Sequence, residues 1–396
     1  AYYTRPEITE YLCDRTINKL ILDKSERKGV TSINELLLRI DADLCDRLLN
    51  QILPNLTLLD PACGSGAFLV AAMKTLIGVY TTVVSQSRQF IEQPNIANWF
   101  EEADKHTSID YYIKKRIISD NLYGVDIMEE ATEIAKLRLF LALVASAKKV
   151  NELEPLPNID FNIMAGNSLI GLIRVDAKEF DEVKVKGKGK KGFAHDPTQG
   201  NLSGETVLQG TLFAGESADQ YQQILANKNT KIADYKKYAF RHGDERSQDS
   251  RLLNLRGDIY SLNKESQEKL NQLLLKEFDE LKIKYEEAQL TGKPKKRILN
   301  INDINPLEPF HWGYHFDKVF ARGGFDAIIA NPPWETFQPD AKEFFTQYSD
   351  SVSKKKMDIK DFEIELKRLL NDQDIQTAWL DYQSKFNHQR QYFRFA

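Results

Sequence analysis

The chain has 396 residues and a mass of 45.5 kDa, which suits one large α/β domain carrying insertions or two domains. Hydrophobic residues at 42% and charged residues at 28% exclude a wholly disordered, collagen-like or membrane-embedded polypeptide. A net charge of −4 and a pI of about 6.0 lack the basic excess of a surface that neutralises many phosphates, so a nucleic-acid partner would have its main binding surface elsewhere.

In chain order, apolar residues at helical spacing, among them Ile8, Tyr11, Leu12 and Ile17, predict a helix over 2–22, and the pattern repeats over 33–53. Residues 56–59 read as a buried strand, broken by Asp60-Pro61-Ala62-Cys63-Gly64-Ser65-Gly66 before a helix over 67–80. A polar helical stretch over 86–117 leads to a second strand at 122–125, then Asp126 and an apolar helix over 129–147. A third strand at 159–164 ends in Gly166-Asn167-Ser168. From 171 to 300 the character changes to a lysine-rich stretch at 184–191, a glycine- and threonine-rich stretch at 198–215 and a charged helix at 265–290, which read as an insertion. The sheet resumes at 325–330 and runs into Asn331-Pro332-Pro333-Trp334, followed by polar helical sequence over 342–392.

The expected units are therefore an N-terminal helical segment (1–55), a cofactor-binding half (56–170), the insertion (171–300), and the catalytic strand with trailing helices (301–396). The apolar run at 137–147 is shorter than the roughly 20 residues a bilayer requires, and no signal peptide opens the chain, so a cytoplasmic address and no membrane partner are expected. Cys13, Cys45 and Cys63 include no CxxC pair and predict reduced thiols. The chain opens at Ala1 and enters patterned sequence at once, which suggests a piece of a longer protein.

The glycine turn lacks the G-x-G-x-x-G spacing of dinucleotide sites and the Gly-Lys-Ser/Thr of a P-loop. It has a carboxylate, Asp60, at the strand end, which repels a pyrophosphate and suits a sulfonium or ammonium ligand, pointing to S-adenosyl-L-methionine. Asp126 ends the next strand, where it accepts ribose hydroxyls or caps the following helix. Asn167 is an adenine-edge partner or a plain turn residue. The two prolines after Asn331 end the ladder and stiffen the exit from the strand, so that an amide oxygen and a backbone carbonyl face one amino group.

Tyr3-Thr4, Asp60-Pro-Ala-Cys-Gly-Ser-Gly-Ala-Phe68, Gly124-Val-Asp126, Gly166-Asn-Ser168 and Asn331-Pro-Pro-Trp334, in that order, resemble the gamma-class N6-adenine DNA methyltransferases. Phe310-His311-Trp312, Phe320-Ala-Arg-Gly-Gly324 and Phe325-Asp-Ala-Ile-Ile329 look like the Eco57I-type methylase region of type IIG restriction-modification enzymes. The resemblance implies a Rossmann-like α/β methyltransferase sheet with helices on both faces, N-terminal helices and a large insertion before the catalytic strand. It assigns Thr4 to the cofactor carboxylate, Asp60, Ala62, Cys63, Gly64 and Gly66 to the methionine end, Asp126 and Ile127 to the ribose and Asn167 to the adenine ring. It makes Asn331 and the Pro332 carbonyl acceptors for adenine N6, with Pro333 stiffening the corner and Trp334 stacking on the flipped base.

Implied partners are double-stranded DNA with a flipped adenine, and a target-recognition domain, a nuclease or a specificity subunit. Mg2+ enters only with a nuclease. The sequence departs from the family pattern at Arg5, where proline is usual, and at Asn167, where aspartate is commoner. A sheet without the usual later strands is expected to fold weakly and methylate poorly. The alternatives are a protein-glutamine or RNA base methyltransferase and a non-catalytic scaffold. His311 and His315 read as surface or packing residues, and the nuclease-like Pro339-Asp340 with Glu365-Leu366-Lys367 reads as chance.

Overall fold

Alternation along two short strands decides the layering: Leu58 and Leu122 enter one core, whereas Leu59 and Tyr123 enter another on the opposite face. The computed structural model describes residues 4–146, 159–183, 220–239, 245–332, 337–349, 352 and 358–395. Among these the strands are β1 (Leu58–Asp60), β2 (Leu122–Asp126), β3 (Ile163–Ala165), β4 (Tyr285–Glu287), β5 (Lys295–Arg297) and β6 (Ala327–Ile328). Four form a parallel sheet of order β3-β2-β1-β6, and β4 and β5 pair separately as an antiparallel hairpin. The architecture is mixed α/β, with a parallel core flanked by helices.

Helices α1 (Pro6–Ser25), α2 (Ile33–Leu38), α3 (Ala42–Arg47), α4 (Ala67–Ser87), α5 (Pro94–Asp104), α6 (Ile109–Arg116) and α7 (Glu129–Val144) build the first face. The helix expected over 33–53 is interrupted, because Ser32 caps α2 through the Glu35 N–H and Asp41 caps α3 through the Leu44 N–H. The stretch 86–117 likewise divides into α5 and α6, the latter capped by Ser108. The third strand is shorter than expected because residues 159–161 form a 3-10 turn.

Among the described residues, Ala67–Phe90 is long and apolar enough by composition to cross a bilayer, a longer apolar stretch than 137–147. Its apolarity has a packing cause. Helix α4 lies against α1, α6, α7 and β2, so it presents apolar side chains in several directions at once. Cys13, Cys45 and Cys63 are buried free thiols.

Helices α8 (Ala177–Glu182), α9 (Gln220–Ala239), α10 (Glu245–Glu280), α11 (Ile301–Ile304), α12 (Trp312–His315) and α13 (Asp317–Ala321) come later in the chain. The second face of the sheet carries an aromatic layer, in which Phe310, Trp312, Phe316 and Val319, on and around α12 and α13, cover Leu59, Tyr123 and Val125. The charged helix expected over 265–290 instead ends at Glu280, and β4 comes after it. Residues of 171–300 share a core with Ile304, Leu307, Tyr314 and Tyr392, so this stretch is packed onto segments C-terminal to it. The lysine-rich stretch 184–191 lies outside the described residues.

His311 is fully buried: its Nδ1 accepts from the Leu172 N–H at 3.2 Å and its Nε2 lies 2.9 Å from Asn271 Oδ1. Burial pushes its pKa down to about 3. His315 stacks on Phe310, so both histidines serve packing. Asp340 caps the helix Ala341–Thr346, and Glu365 pairs with Arg368 and accepts from Ser349, which gives the nuclease-like residues local structural partners.

Lys228 of α9, 2% exposed, donates to the Tyr314 carbonyl and, at 2.9 Å, to Asp317 Oδ1. Asn229 Nδ2 donates to the other Asp317 oxygen at 2.6 Å. Removing one partner of a buried ion pair leaves the other charge uncompensated. Lys228→Ala is expected to cost about 3 kcal/mol in urea unfolding; a loss below about 0.5 kcal/mol would mean the contact does not anchor α9.

Candidate functional site at the carboxyl edge of the sheet

Because β1, β2, β3 and β6 are parallel, their carboxyl ends open on one edge, and Asp60, Asp126, Asn167 and Asn331 stand at or just beyond those ends. Such an edge is where open α/β sheets bind ligands. The glycine turn is tied to it by backbone bonds: the Cys63 N–H donates to the Val125 carbonyl at 3.0 Å and the Gly64 N–H to Asp126 Oδ2 at 2.8 Å. From α7, Arg138 Nη1 donates to the Ser65 carbonyl at 2.9 Å. At Gly66, φ is +79° and a Cβ would stand 2.9 Å from Ala135 Cβ, so a side chain there would push the turn off α7.

Asp126 bridges two segments. Its Oδ2 holds Gly64, and its Oδ1 accepts from the Met128 N–H at 3.0 Å. It does not cap α7 in the usual manner, because Met128 occupies the N-cap and makes no side-chain capping bond. Ile127 beside it is 56% exposed.

Asp60 is 2% exposed, and its Oδ1 accepts from the Ala62 N–H at 3.1 Å. Desolvation raises its pKa from 3.8 to about 7; the Ala62 bond opposes this and the Asp126 charge reinforces it. A buried carboxyl under that strain gains from a cation, which is the test that a sulfonium- or ammonium-bearing ligand passes here. Burial also pushes the Cys63 thiol up, and Cys63 packs against Gly124.

At the β3 end, Asn167 is buried and held by its main chain. Its N–H donates to the Glu308 carbonyl at 2.7 Å, and its carbonyl accepts from the Phe310 N–H at 3.2 Å. Its Oδ1 accepts from the Leu169 N–H at 3.1 Å, the turn role that the sequence left open. Trp312 Nε1 donates to the Ser168 carbonyl at 3.1 Å, completing a wall made of residues 308–312. Sequence reasoning missed this pairing of residues 308–312 with the end of β3. Its signal is the aromatic run Phe310-His311-Trp312, but nothing local sets its register against a segment about 140 residues earlier.

At the β6 end, Asn331 and Pro332 are exposed. The Ile329 N–H donates to the Leu59 carbonyl at 2.9 Å, so the chain leaves the sheet from a paired position. Asn331 Nδ2 donates to Thr4 Oγ1 at 3.1 Å, bringing the N-terminal motif to the proline corner. Pro333 and Trp334 lie outside the described residues. Thus Thr4, Asp60, Ala62, Cys63, Gly64, Gly66, Asp126, Ile127, Asn167, Asn331 and Pro332 all belong to this one edge or to the segments bonded to it.

The family described as Eco57I restriction-modification methylase matches residues 120–378, and that described as MmeI, DNA-methyltransferase domain, matches 41–173. A putative type II restriction enzyme and methyltransferase of Methanocaldococcus jannaschii is 28% identical over 388 residues, covering 87% of this chain and 28% of that protein. The type II restriction enzyme and methyltransferase RM.Eco57I of Escherichia coli is 30% identical over 115 residues, covering 28% of this chain and 11% of that protein.

Between the unfolded value near 3.8 and the folded value of about 7, Asp60 keeps a proton in the folded chain that the unfolded chain has lost. Its contribution to stability therefore falls as pH rises through that window and is level above it. Asp60→Asn is expected to flatten this decline in urea unfolding at pH 5 and pH 8; an unchanged difference between the two would contradict the burial penalty.

Proposed function

The chain belongs to the Eco57I restriction-modification methylase family, and from that premise we propose that it transfers a methyl group from S-adenosyl-L-methionine to N6 of adenine in DNA. The observation that carries this reading is the convergence of Asp60, Asp126 and Asn331 on one edge of a parallel sheet. The sheet is then the cofactor-binding part of a Rossmann-like methyltransferase fold, with residues 56–170 as the cofactor half and 301–396 carrying the catalytic strand.

When bound, S-adenosyl-L-methionine supplies an electrophilic methyl on a sulfonium centre. Asp60 offers that end negative charge, and the Gly64–Gly66 turn allows close backbone approach. Asp126, with Ile127, borders the ribose, and Asn167 borders the adenine ring. Adenine N6 is a weak nucleophile because its lone pair is conjugated with the ring. The Asn331 side-chain oxygen and the Pro332 carbonyl accept its two N–H bonds, draw the nitrogen toward tetrahedral geometry and aim the lone pair for in-line attack.

The base must leave the duplex at a cost of a few kcal/mol, which stacking on Trp334 offsets by roughly 1–3 kcal/mol. Since the chain spans only 28% of the Methanocaldococcus relative, target recognition is assigned to other segments of a longer polypeptide or to a specificity subunit. Any Mg2+ would belong to an associated nuclease.

Asn331→Ala is expected to abolish methyl transfer while leaving the cofactor dissociation constant within about twofold, since the role proposed for it is toward the base. Transfer at the unaltered rate would end the two-acceptor reading. Asp126→Ala is expected to weaken cofactor binding by about tenfold or more in calorimetric titration, through loss of ribose contacts and release of Gly64. An unchanged affinity would reduce Asp126 to a turn residue.

A further inference from the structure

The acidic excess of the chain is not evenly spread. Over 281–298, six lysines and arginines stand against two glutamates, a local charge of +4 in a protein whose net charge is −4. Both glutamates are spent within the hairpin: Glu286 pairs with Lys296 at 2.7 Å and Glu287 with Arg297 at 3.0 Å. Arg297 is held further by Asp303 at 2.7 Å and lies 4.0 Å over the Tyr285 ring. Lys282, Lys284, Lys293 and Lys295 are left exposed, with no ion pair to any described residue. Their mount is stiff. Ile283 and Tyr285 pack into a core with Leu299 and Tyr392, and the Ala288 N–H donates at 2.8 Å to Ser384 Oγ of the helix Gln373–Tyr392.

We propose that the β4–β5 hairpin is a contact surface for the phosphate backbone of duplex DNA, through Lys282, Lys284, Lys293 and Lys295. The occupant follows from charge and spacing. Glu287 of β4 pairs with Lys295 of β5, which sets Lys284 and Lys295 three rungs, about 10 Å, apart along the ladder. A duplex presents roughly six phosphate charges over that length. A small anion would engage one or two of these side chains, whereas a rod of evenly spaced charge engages cations strung along a hairpin. Because the ladder and its packing already order the backbone, binding has to order little beyond the lysine side chains. The surface is also tied to the candidate edge: β5 leads through α11 to Glu308, whose carbonyl accepts from the Asn167 N–H at 2.7 Å. Phosphate contacts hold register and orientation and carry no base information, so sequence recognition stays with other segments. This role rests on DNA being the substrate, and it gives an acidic chain a local means of holding it.

The test uses the 396-residue chain carrying Lys282→Gln, Lys284→Gln, Lys293→Gln and Lys295→Gln together, and a second variant with arginine at the same four positions. A control carries Lys28→Gln, Lys178→Gln, Lys237→Gln and Lys360→Gln, the same loss of charge at exposed positions elsewhere. Thermal unfolding checks that each folds. Binding to a fluorescently labelled DNA duplex is followed by anisotropy between about 50 and about 200 mM salt. The hairpin glutamine variant is expected to lose about tenfold or more in affinity at the lower salt. Its slope of log affinity against log salt is expected to fall by about 2 to 3.5, since each phosphate contact contributes about 0.9. The arginine variant and the control are expected to keep the slope to within about one contact, and cofactor affinity to stay within about twofold throughout. An unaltered slope in the glutamine variant, an equal loss in the control, or a loss on duplex RNA but not on DNA overturns the hairpin surface while leaving the proposed methyl transfer intact. An unaltered chain without salt-dependent affinity for the duplex overturns the surface as well. One that in addition transfers no methyl group to DNA overturns the proposed function too.

Discussion

One carboxylate holds the site together. Asp126 accepts a backbone N–H from the glycine turn after β1 with one oxygen and one from the residue preceding α7 with the other. Hydrogen bonds to a charged acceptor contribute about 1.5–3 kcal/mol each, roughly twice a neutral pair. The turn is short and glycine-rich, and Asp126 acts beside the Cys63–Val125 and Arg138–Ser65 bonds that also hold it. With Asp126 in place it is pinned to the end of β2, α4 starts in a set direction, and Gly66 comes close enough to Ala135 that only a hydrogen fits between.

The same arrangement concentrates negative charge. Asp60 is buried within the influence of Asp126, and desolvation raises its pKa. Structural carboxylates elsewhere in the chain are treated differently: Asp317 is matched by Lys228 and Asn229, and Asp303 by Arg297. A buried acid that has no matching cation among the described residues, beside an open strand edge, is a feature of binding sites more than of cores. It favours a cationic ligand and disfavours phosphate, which separates this turn from nucleotide-binding loops of similar outline.

The opposite face solves a mechanical problem. Short strands give little rigidity, and β6 pairs over only two residues. Stiffness comes from packing instead: the aromatic layer of Phe310, Trp312, Phe316 and Phe325 locks the approach to β6 against Tyr123 and Leu59. Lys228 then ties the inserted helix α9 to that approach through Tyr314 and Asp317. The insertion thereby supports the segment that delivers Asn331, although among the described residues it places no candidate site residue on the edge itself.

Local physics determined much of this from the sequence alone. Strand, glycine turn and helix were legible at 56–80 because alternation, positive-φ glycines and helical spacing each act within a few residues, and the proline corner after β6 was legible because proline constrains its own backbone. Helix limits were less legible: Ser32 and Asp41 break a continuous apolar pattern through capping bonds that compete with propagation. Distant pairings were not legible at all. The contacts of Thr4 with Asn331, Asn167 with Glu308 and Lys228 with Asp317 join residues 327, about 140 and 89 positions apart, and no local preference encodes which partners meet. The sequence by itself determined which residues could do chemistry. Only tertiary packing decided that they share one edge, because long-range register comes from the simultaneous burial of two sheet faces and not from any single segment.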